Sequence, residues 1–488
     1  MKGRTAPIVV YELWGKFFLS LHPRVFNHLF STRPVAASYV RKLTLRPHLF
    51  GSYMRAKVGS SASKSGRPDS RIHLHGGSSN IRILLRNIFA MTRLTSLVVG
   101  CYSTDSWQRF IEALPFLDTA WSHSPRLQNL SLHLPVECLD KVLTTTPHFH
   151  VLEELSLTIW THSPDSPFCK SALMTVASFI NRHASSLTHL TIDIHTSDLD
   201  PFPLFSGIGH LPKLIGASLH RLHPQEECPY NGFLIKHKIT LEQLRFQFYQ
   251  PVLSTRPTPT SFFSIPIFQA DFPSIRFLDL GLCYWDKESE ASLAKGMARY
   301  LSKFRHTITR LIIRDCILSL PTIKAFVSVL SEDVVLRELE MHVHYLSSDL
   351  LDLLASKLPR LHSLDLTYSW LQYKDDGRWD PDLNRMTSIT TRTVRFFLLY
   401  ICHLANLGVL VQIQECLENF CHNDYSLWSL RHLRVCPRTL DARCGDVRKI
   451  MAACLPNVST INGFPRSNFE HSHLMITTPL FFSPVTIR

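Results

Sequence analysis

One short apolar pattern returns along most of this 488-residue chain. Each copy has an apolar residue, two variable residues, a second apolar residue, one variable residue and a third apolar residue, as at Leu127, Leu130 and Leu132. From Leu97 to Leu364 the middle apolar residues of ten successive copies are 25 to 35 residues apart. A single copy means little because leucine is common, but ten copies at such intervals indicate an internal repeat.

Twelve copies are clear and two are weaker. The clear copies begin at Val40, Leu94, Leu127, Leu152, Leu187, Leu214, Leu241, Ile275, Ile308, Leu336, Leu361 and Leu430. The weaker copies lie at Leu404-Leu407-Val409 and around Val458–Ile461. Alternate residues of a strand face opposite sides, so the last two apolar positions of each copy point into one core. The pattern therefore predicts one short strand per repeat.

The segments between these strands have helical spacing of their apolar residues. The predicted helices are Asp105–Trp121, Ser171–His183, Glu288–Phe304, Thr322–Leu330, Ser347–Leu358, Thr393–Leu404 and Asp446–Leu455. A proline stands two residues before the first apolar strand position in five repeats, where it ends a helix without removing a needed strand donor. These prolines are Pro125, Pro212, Pro273, Pro359 and Pro456. Helix, proline and strand in this order predict an α/β solenoid.

This arrangement resembles the leucine-rich-repeat family over most of residues 94–465. The resemblance implies short parallel strands on a concave face, helices on a convex face and about 12–14 irregular repeats. The family often has Asn or Cys three residues after the last strand Leu, a place that only Cys283 and Cys316 clearly fill here. We interpret these two cysteines as small buried side chains rather than a bridge or metal ligands. Segments 222–238, 250–265 and 370–392 are predicted loops.

Residues 22–47 resemble the stretch that follows the F-box in many fungal F-box/leucine-rich-repeat proteins. The 21 residues before His22 are about half an F-box and lack its Leu-Pro-x-Glu start, so we expect the F-box to be absent or truncated. The expected organisation is a helical segment with the first strand at 1–50, a flexible basic Ser/Gly-rich loop at 51–80, the solenoid at 81–465 and a tail at 466–488. The family resemblance implies a substrate-recognition role in a ubiquitin ligase of the SCF type. Its adaptor subunit would bind only if an F-box exists upstream.

The charge is concentrated at one end of the chain. The net charge is +13, yet residues 1–93 hold 16 Lys/Arg against Glu12 and Asp69, while the rest of the chain has a net −1. One alternative function is therefore binding to a nucleic acid or an anionic surface through residues 41–93, which carry 11 Lys/Arg and one acid. The first 45 residues also have the composition of a mitochondrial transit peptide, which is a third alternative.

Motifs for catalysis and cofactor binding are missing from the sequence. No G-x-S-x-G, P-loop, dinucleotide-binding glycine pattern or H-E-x-x-H occurs, so we predict neither an enzyme nor a cofactor. The Cys/His group at Cys402, His403, Cys416, Cys421 and His422 lacks zinc-finger spacing. The pairs His73/His75 and His342/His344 have strand spacing but no obvious third ligand, so no metal site is predicted.

The same composition bears on location. No apolar stretch is long enough to span a membrane, and no secretory signal is recognisable. We therefore expect the 12 cysteines to be free thiols in a reducing compartment, the cytoplasm or the nucleus.

The residue between the last two apolar positions of each strand is predicted to face the concave side. These residues are Val98, Ser131, Ser156, Thr191, Ser218, Arg245, Asp279, Ile312, Glu340, Asp365 and Arg434, with His133, Asp193, His220, Gln247, Arg314 and His342 two positions on. The mixture lacks the basic stripe and stacking aromatics of a nucleic-acid groove and fits a protein partner better. The candidate partner contacts are Arg245, Asp279, Arg314, Glu340, His342 and Asp365.

Overall fold

The structure is a computed structural model of the whole chain. It describes residues 38, 40–45, 91–101, 126–146, 148–161, 163–164, 166–196, 199–222, 229–248, 263, 265–282, 290–331, 335–371, 425–437 and 444–470. The chain divides into two compact units. Unit 1 comprises Met1–Pro257 and Ser264–Ile275, and unit 2 comprises Thr258–Phe263 and Arg276–Arg488.

Seven strands of unit 1 lie side by side in sequence order, and each pairs in parallel with the next. They are β1 (Lys42–Leu45), β2 (Ser96–Gly100), β3 (Asn129–Pro135), β4 (Glu154–Trp160), β5 (His189–Ile194), β6 (Gly216–Leu222) and β7 (Gln243–Phe248). The described helices of this unit are α1 (Val136–Thr145), α2 (Pro167–Arg182), α3 (Phe202–Gly207), α4 (Pro229–Lys236) and α5 (Pro266–Gln269).

Unit 2 follows the same plan up to its C-terminal hairpin. Its strands are β8 (Phe277–Gly281), β9 (Arg310–Leu318), β10 (Glu338–Leu346), β11 (Ser363–Leu371), β12 (His432–Pro437), β13 (Thr460–Ile461) and β14 (Phe464–Pro465). Strands β8 to β13 pair in parallel, and β14 pairs antiparallel with β13. Its described helices are α6 (Glu290–Ser302), α7 (Leu320–Leu330), α8 (Ser348–Lys357), α9 (Cys444–Cys454) and α10 (Ser467–Glu470).

Register aligns the apolar positions of the repeats. In unit 1, Leu97, Leu130, Leu155 and Leu190 are direct partners on neighbouring strands, and all four are buried. The helices supply the other side of this core, as when α2 buries a stripe from Cys169 to Ile180. Each repeat buries too little apolar surface to fold alone, so stacking makes the core continuous. Each unit is an α/β solenoid of the leucine-rich-repeat kind, as predicted.

Within each unit, a shared carbonyl oxygen joins most pairs of successive strands where the second strand begins. The carbonyl of Thr188, for example, accepts the backbone N–H groups of Ile215 and Gly216 at 2.9 and 3.0 Å. In unit 2 the carbonyl of Thr309 accepts those of Arg337 and Glu338 at 2.8 and 3.0 Å. These bonds hold adjacent strands in the register that aligns their apolar residues.

Two buried histidines in unit 1 make the same pair of hydrogen bonds to the backbone. His183 follows α2, and its Nδ1 lies 2.9 Å from the carbonyl oxygen of Phe179, while its Nε2 accepts the N–H of Phe149 at 3.1 Å. His237 follows α4 and makes the two equivalent bonds. Both rings use one nitrogen as donor and one as acceptor, which requires the neutral form. Burial also lowers the pKa of His183 to about 4 and that of His237 in the same direction.

The last strands of unit 2 form a hairpin whose two turn residues have positive φ. These are Asn462 at 52° and Gly463 at 81°, the Asn-Gly pair that a tight hairpin turn favours. The side-chain amide of Asn462 accepts from the N–H of Val435 at 2.7 Å and donates to its carbonyl at 3.1 Å. A side chain thereby pairs with β12 beyond the point where the short β13 ends.

The strand predictions are confirmed. All twelve clear copies of the apolar pattern contain or precede a strand, and the weaker copy at Val458–Ile461 contains β13. The copy at Leu404 lies outside the described residues. The prolines at 212, 273, 359 and 456 each occupy a turn before a strand, and Pro125 is outside the described residues.

Five predicted helices match α2, α6, α7, α8 and α9 within a few residues, while Asp105–Trp121 and Thr393–Leu404 are outside the described residues. The prediction of a loop over 222–238 is wrong, since α4 forms there and buries Tyr230, Phe233 and Leu234. Of the helices that the structure describes, none is long and apolar enough to cross a membrane.

Candidate functional site: the open face of each unit

Half of each strand's side chains point away from the helices, and we call this side the open face. Burial alternates along the strands, so that β5 buries Leu190, Ile192 and Ile194 while the residues between them stay partly exposed. The alternation follows from the two-residue period of a strand. The open face carries the residues predicted to face the concave side. Its polar side chains are the candidate site.

Four small hydroxyl side chains form a row on the open face of unit 1. Ser131, Ser156, Thr191 and Ser218 are direct partners across β3, β4, β5 and β6. They lie in a groove of about 500 Å³ that extends from Lys42 to Arg245. We call this the hydroxyl groove. Sequence reasoning placed these residues on the concave side but did not predict that their small size would open a groove.

A second row of residues borders the groove, and each of its members comes two residues before a hydroxyl residue on the same strand. In that row Asn129 donates to the Glu154 carboxylate at 2.6 Å. Next to them, the His189 ring lies directly over Gly216, where an added Cβ would meet the ring at 2.3 Å. Glycine is therefore required at position 216 for the present position of His189, and the repeat pattern alone gives no sign of this.

An ion-pair cluster lies on the open face next to the groove. Asp193 Oδ2 is 2.9 Å from His195 Nε2, and Asp193 Oδ1 is 3.6 Å from Arg221 Nε. Arg221 Nη1 donates to His195 Nδ1 at 2.6 Å, which places the imidazole proton on Nε2. Both ring nitrogens of His195 are thus engaged. On β3, His133 Nε2 is 3.1 Å from the Ser131 hydroxyl, and burial lowers the pKa of His133 despite the nearby Asp193 charge.

Arg314 organises the open face of unit 2. Its Nε is 3.1 Å from Asp279 Oδ1, and its Nη2 is 3.6 Å from Glu340 Oε1. The first contact is an ion pair without an aligned hydrogen bond from Nε. Asp279 on β8 and Glu340 on β10 are the direct partners of Ile312 on the middle strand β9. Arg314, also on β9, therefore contacts the strands on both sides of its own.

Two open-face positions in this region are buried rather than exposed. Ile312 is 2% exposed and Asp279 is 6% exposed, although both occupy positions that alternation assigns to the open face. β8 is buried at all five of its residues. The guanidinium that bridges the carboxylates on either side of Ile312 provides one physical reason, because a long arginine side chain covers apolar surface with its methylene stem.

A second ion pair follows on the next two strands. Arg434 Nη1 donates to Asp365 Oδ2 at 3.2 Å, and Asp365 is the direct partner of both Glu340 and Arg434 in register. Burial raises the pKa of Asp365, and Arg434 only partly opposes this while Glu340 adds to it. Two carboxylates side by side on neighbouring strands repel each other, so this part of the open face favours additional positive charge.

The six predicted contact residues divide between the units. Arg245 is exposed on β7 and borders the hydroxyl groove in unit 1. The structure brings Asp279, Arg314 and Glu340 together in unit 2, with Asp365 beside Glu340. His342 is half-buried two positions after Glu340 and pairs in register with Thr367. Whether these residues contact a partner stays a prediction.

The candidate metal ligands are only partly described. Cys316 is a buried thiol outside any disulfide, and His342 and His344 are half-buried on β10. Cys283, the pair His73/His75 and the group from Cys402 to His422 lie outside the described residues. Over the described ranges, no group of three or more His, Cys, Asp or Glu is arranged to hold a metal ion.

Comparisons with known proteins find solved structures of low sequence identity over much of the chain. No protein-family model and no curated protein matches the sequence. One similar solved structure is the Rad7 and Elc1 complex from yeast, with 13% identity over 77% of this chain and 90% of that chain and a TM-score of 0.34. Another is an internalin (inlF) from Listeria monocytogenes str. 4b F2365, with 12% identity over 77% of this chain and 82% of that chain and a TM-score of 0.28. The fold assignment rests on the strand order and register of this chain itself.

Proposed function

We propose that this protein is a non-catalytic module that binds another protein through the open faces of its solenoid units. The observation that carries the proposal is the arrangement of polar side chains of both charges in registered rows, including the hydroxyl groove and the Asp279–Arg314–Glu340 network. Fixed charges of both signs on a surface give specificity, because they favour a partner that places opposite charges against them. Repeat solenoids present such surfaces over many strands without needing a closed pocket.

The arrangement of His195 weighs against a role for this residue as a general base on the open face of unit 1. A general base needs a free ring nitrogen near the proton that it removes. Asp193 holds one nitrogen of His195 and Arg221 the other. We therefore interpret this cluster as part of a recognition surface.

A finer proposal is that the bound protein is a substrate of an SCF-type ubiquitin ligase. Its support is the resemblance of residues 22–47 to the segment that follows an F-box, and the adaptor subunit would join only through an F-box upstream. Co-purification of the adaptor with the protein expressed from a verified full-length transcript tests this proposal. Absence of the adaptor from such a preparation would remove the ligase role and leave the binding proposal intact.

The alternative of nucleic-acid or anionic-surface binding through residues 41–93 concerns a segment that is mostly outside the described residues. It predicts binding that weakens steeply with added salt. The lining of the hydroxyl groove gives it little support, because among the described lining residues Lys42 and Arg245 are the only Lys or Arg and His189 is the only ring on which a base could stack.

Affinity purification with matched variants tests the protein-binding proposal. The tagged full chain would be compared with Ser156→Tyr in unit 1, Arg434→Glu in unit 2 and Lys170→Glu, an exposed residue of the helix α2. We expect a specific partner that is retained by Lys170→Glu and lost with at least one open-face variant. A partner set that all three variants keep unchanged contradicts the proposal.

A further inference from the structure

We propose that the hydroxyl groove of unit 1 binds an extended, acidic segment of a partner protein. This inference rests on the proposed protein-binding function and specifies its ligand chemistry. Three features of the described residues carry it: a floor of small polar side chains, the residue types that are missing from the lining, and the charges at the two ends.

The floor offers hydrogen bonds that the protein itself leaves unused. Within the described part of the chain, nothing hydrogen-bonds to the hydroxyls of Ser156, Thr191 or Ser218, while Ser131 contacts His133. A hydroxyl both donates and accepts. Neighbouring strands are about 4.8 Å apart, so four registered hydroxyls form a row roughly 14 Å long. A peptide backbone carries N–H and C=O groups along its whole length, so it can donate to and accept from the hydroxyls of such a row.

The lining excludes several other ligands. A bound helix needs an apolar groove for its apolar stripe, but this floor is a row of serines and threonine. Single-stranded nucleic acid is held by stacking on a series of aromatic rings, whereas the described lining residues include one ring, that of His189, and none of Phe, Tyr or Trp. An extended peptide needs neither feature. Its backbone can lie across the strands with its side chains pointing along the groove walls and outward.

The charges at the ends give the preferred composition. Lys42 stands on β1 at one end and Arg245 on β7 at the other, and both are exposed. Glu154, the one carboxylate among the described lining residues, already accepts a hydrogen bond from Asn129 at 2.6 Å. Six strand spacings separate β1 from β7, roughly 29 Å. An extended chain covers this distance with about nine residues, so acidic residues near both ends of such a segment would meet the two cations.

Peptide selection against the full-length protein tests this inference. Random nine-residue peptides displayed on phage would be selected on the wild-type chain and the enriched peptides measured by fluorescence polarisation. We expect enrichment of Asp and Glu. Binding should weaken at least tenfold with Ser156→Tyr, which fills the floor, and with Arg245→Glu, which reverses one end. The matched control Ser363→Tyr places the same ring on an open-face position of unit 2 and should change binding less than twofold.

The outcomes separate this inference from the proposed function. Failure to enrich acidic peptides, or enriched peptides that bind Ser156→Tyr as well as wild type, would overturn the groove inference. If those peptides instead lose binding with Arg434→Glu in unit 2, the protein-binding function stands with a different site. If no open-face variant in either unit weakens any selected peptide, both fail. Circular dichroism of each variant confirms that the fold is retained in these comparisons.

Discussion

Arg314 Nε lies 3.1 Å from the Asp279 carboxylate on the neighbouring strand of unit 2. Asp279 is 6% exposed, and Arg314 also reaches Glu340 at 3.6 Å. A carboxylate with so little access to water needs a cation or several donors nearby. This pair therefore stabilises unit 2 as well as shaping its open face.

Removing Arg314 should destabilise the protein more than removing a comparable exposed arginine. We expect Arg314→Met to lower the free energy of unfolding by roughly 1–3 kcal/mol, because the buried Asp279 loses a compensating charge. Arg434→Met is the matched control, since the Arg434 side chain is 65% exposed and its pair with Asp365 should contribute less than about 1 kcal/mol. Urea unfolding measures both. Equal effects of the two variants would show that the burial of Asp279 does not matter.

The buried histidines of unit 1 should make stability depend on pH. The pKa of His183 is lowered from 6.5 to about 4 in the folded state. The unfolded state therefore takes up a proton as the pH falls through 6.5, while the folded state resists. The contribution of His183 to the free energy of unfolding is therefore fully present above pH 6.5. It declines between pH 6.5 and 4 by up to roughly 3 kcal/mol. His237 acts in the same direction.

His183→Phe should flatten this acid-side loss. Phe304 occupies the corresponding position in unit 2, where its carbonyl accepts from Ile308 as that of His183 accepts from Leu187. The variant should be less stable at pH 7, because the Phe149 N–H loses its acceptor. Denaturant midpoints at a series of pH values provide the measurement. An unchanged slope between pH 6.5 and 4 would assign the acid sensitivity to other groups.

Asn462 should be important for the C-terminal edge of unit 2. Asn462→Ala removes two hydrogen bonds to Val435 and places alanine at φ 52°, so we expect a loss of about 2–3 kcal/mol in the local unfolding free energy. Asn462→Gly restores the backbone freedom and should recover part of the loss. Hydrogen exchange at the Val435 amide reports the effect. Protection equal to wild type in both variants would show that the Asn462 side chain does not stabilise this end of β12.

The described thiols should differ in reactivity. Burial raises the pKa of Cys138 to about 12, and Cys101, Cys169 and Cys316 are also buried. Only the thiolate reacts, so these residues should resist alkylation in the folded protein. Cys436 is partly exposed and should be modified first among them at pH 8. Peptide mapping after brief iodoacetamide treatment gives the order, and early labelling of Cys138 would indicate opening of the α1 region.

Much of the fold follows from the apolar pattern, because a two-residue period decides which side of a strand is buried. The helix α4 escaped this reasoning. Its eight residues contain Pro229 and Gly232, which are typical of loops, yet Tyr230, Phe233 and Leu234 are buried in the core. A repeated F-x-x-x-H-x-x-x-L spacing, at Phe179–Leu187 and Phe233–Leu241, was a visible signal for the two buried histidines and for α4.

The site was less predictable than the fold. Alternation identified the rows of the open face, but not which residues would be covered. Ile312 is buried although its strand position predicts exposure. Such coverage depends on how far a neighbouring Arg314 reaches, which is a property of side-chain geometry across strands. The groove likewise depends on several small residues meeting in register, and each of them is unremarkable in its own repeat.

Site-specific photo-crosslinking tests the central claim most directly. A photoreactive residue would be placed in turn at Ser156 on the open face of unit 1, at Ser363 on that of unit 2, and at Met174, which is 55% exposed on α2. The account predicts that a protein partner is crosslinked from at least one open-face position and not from Met174. A partner crosslinked from Met174 and from neither Ser156 nor Ser363 would contradict it.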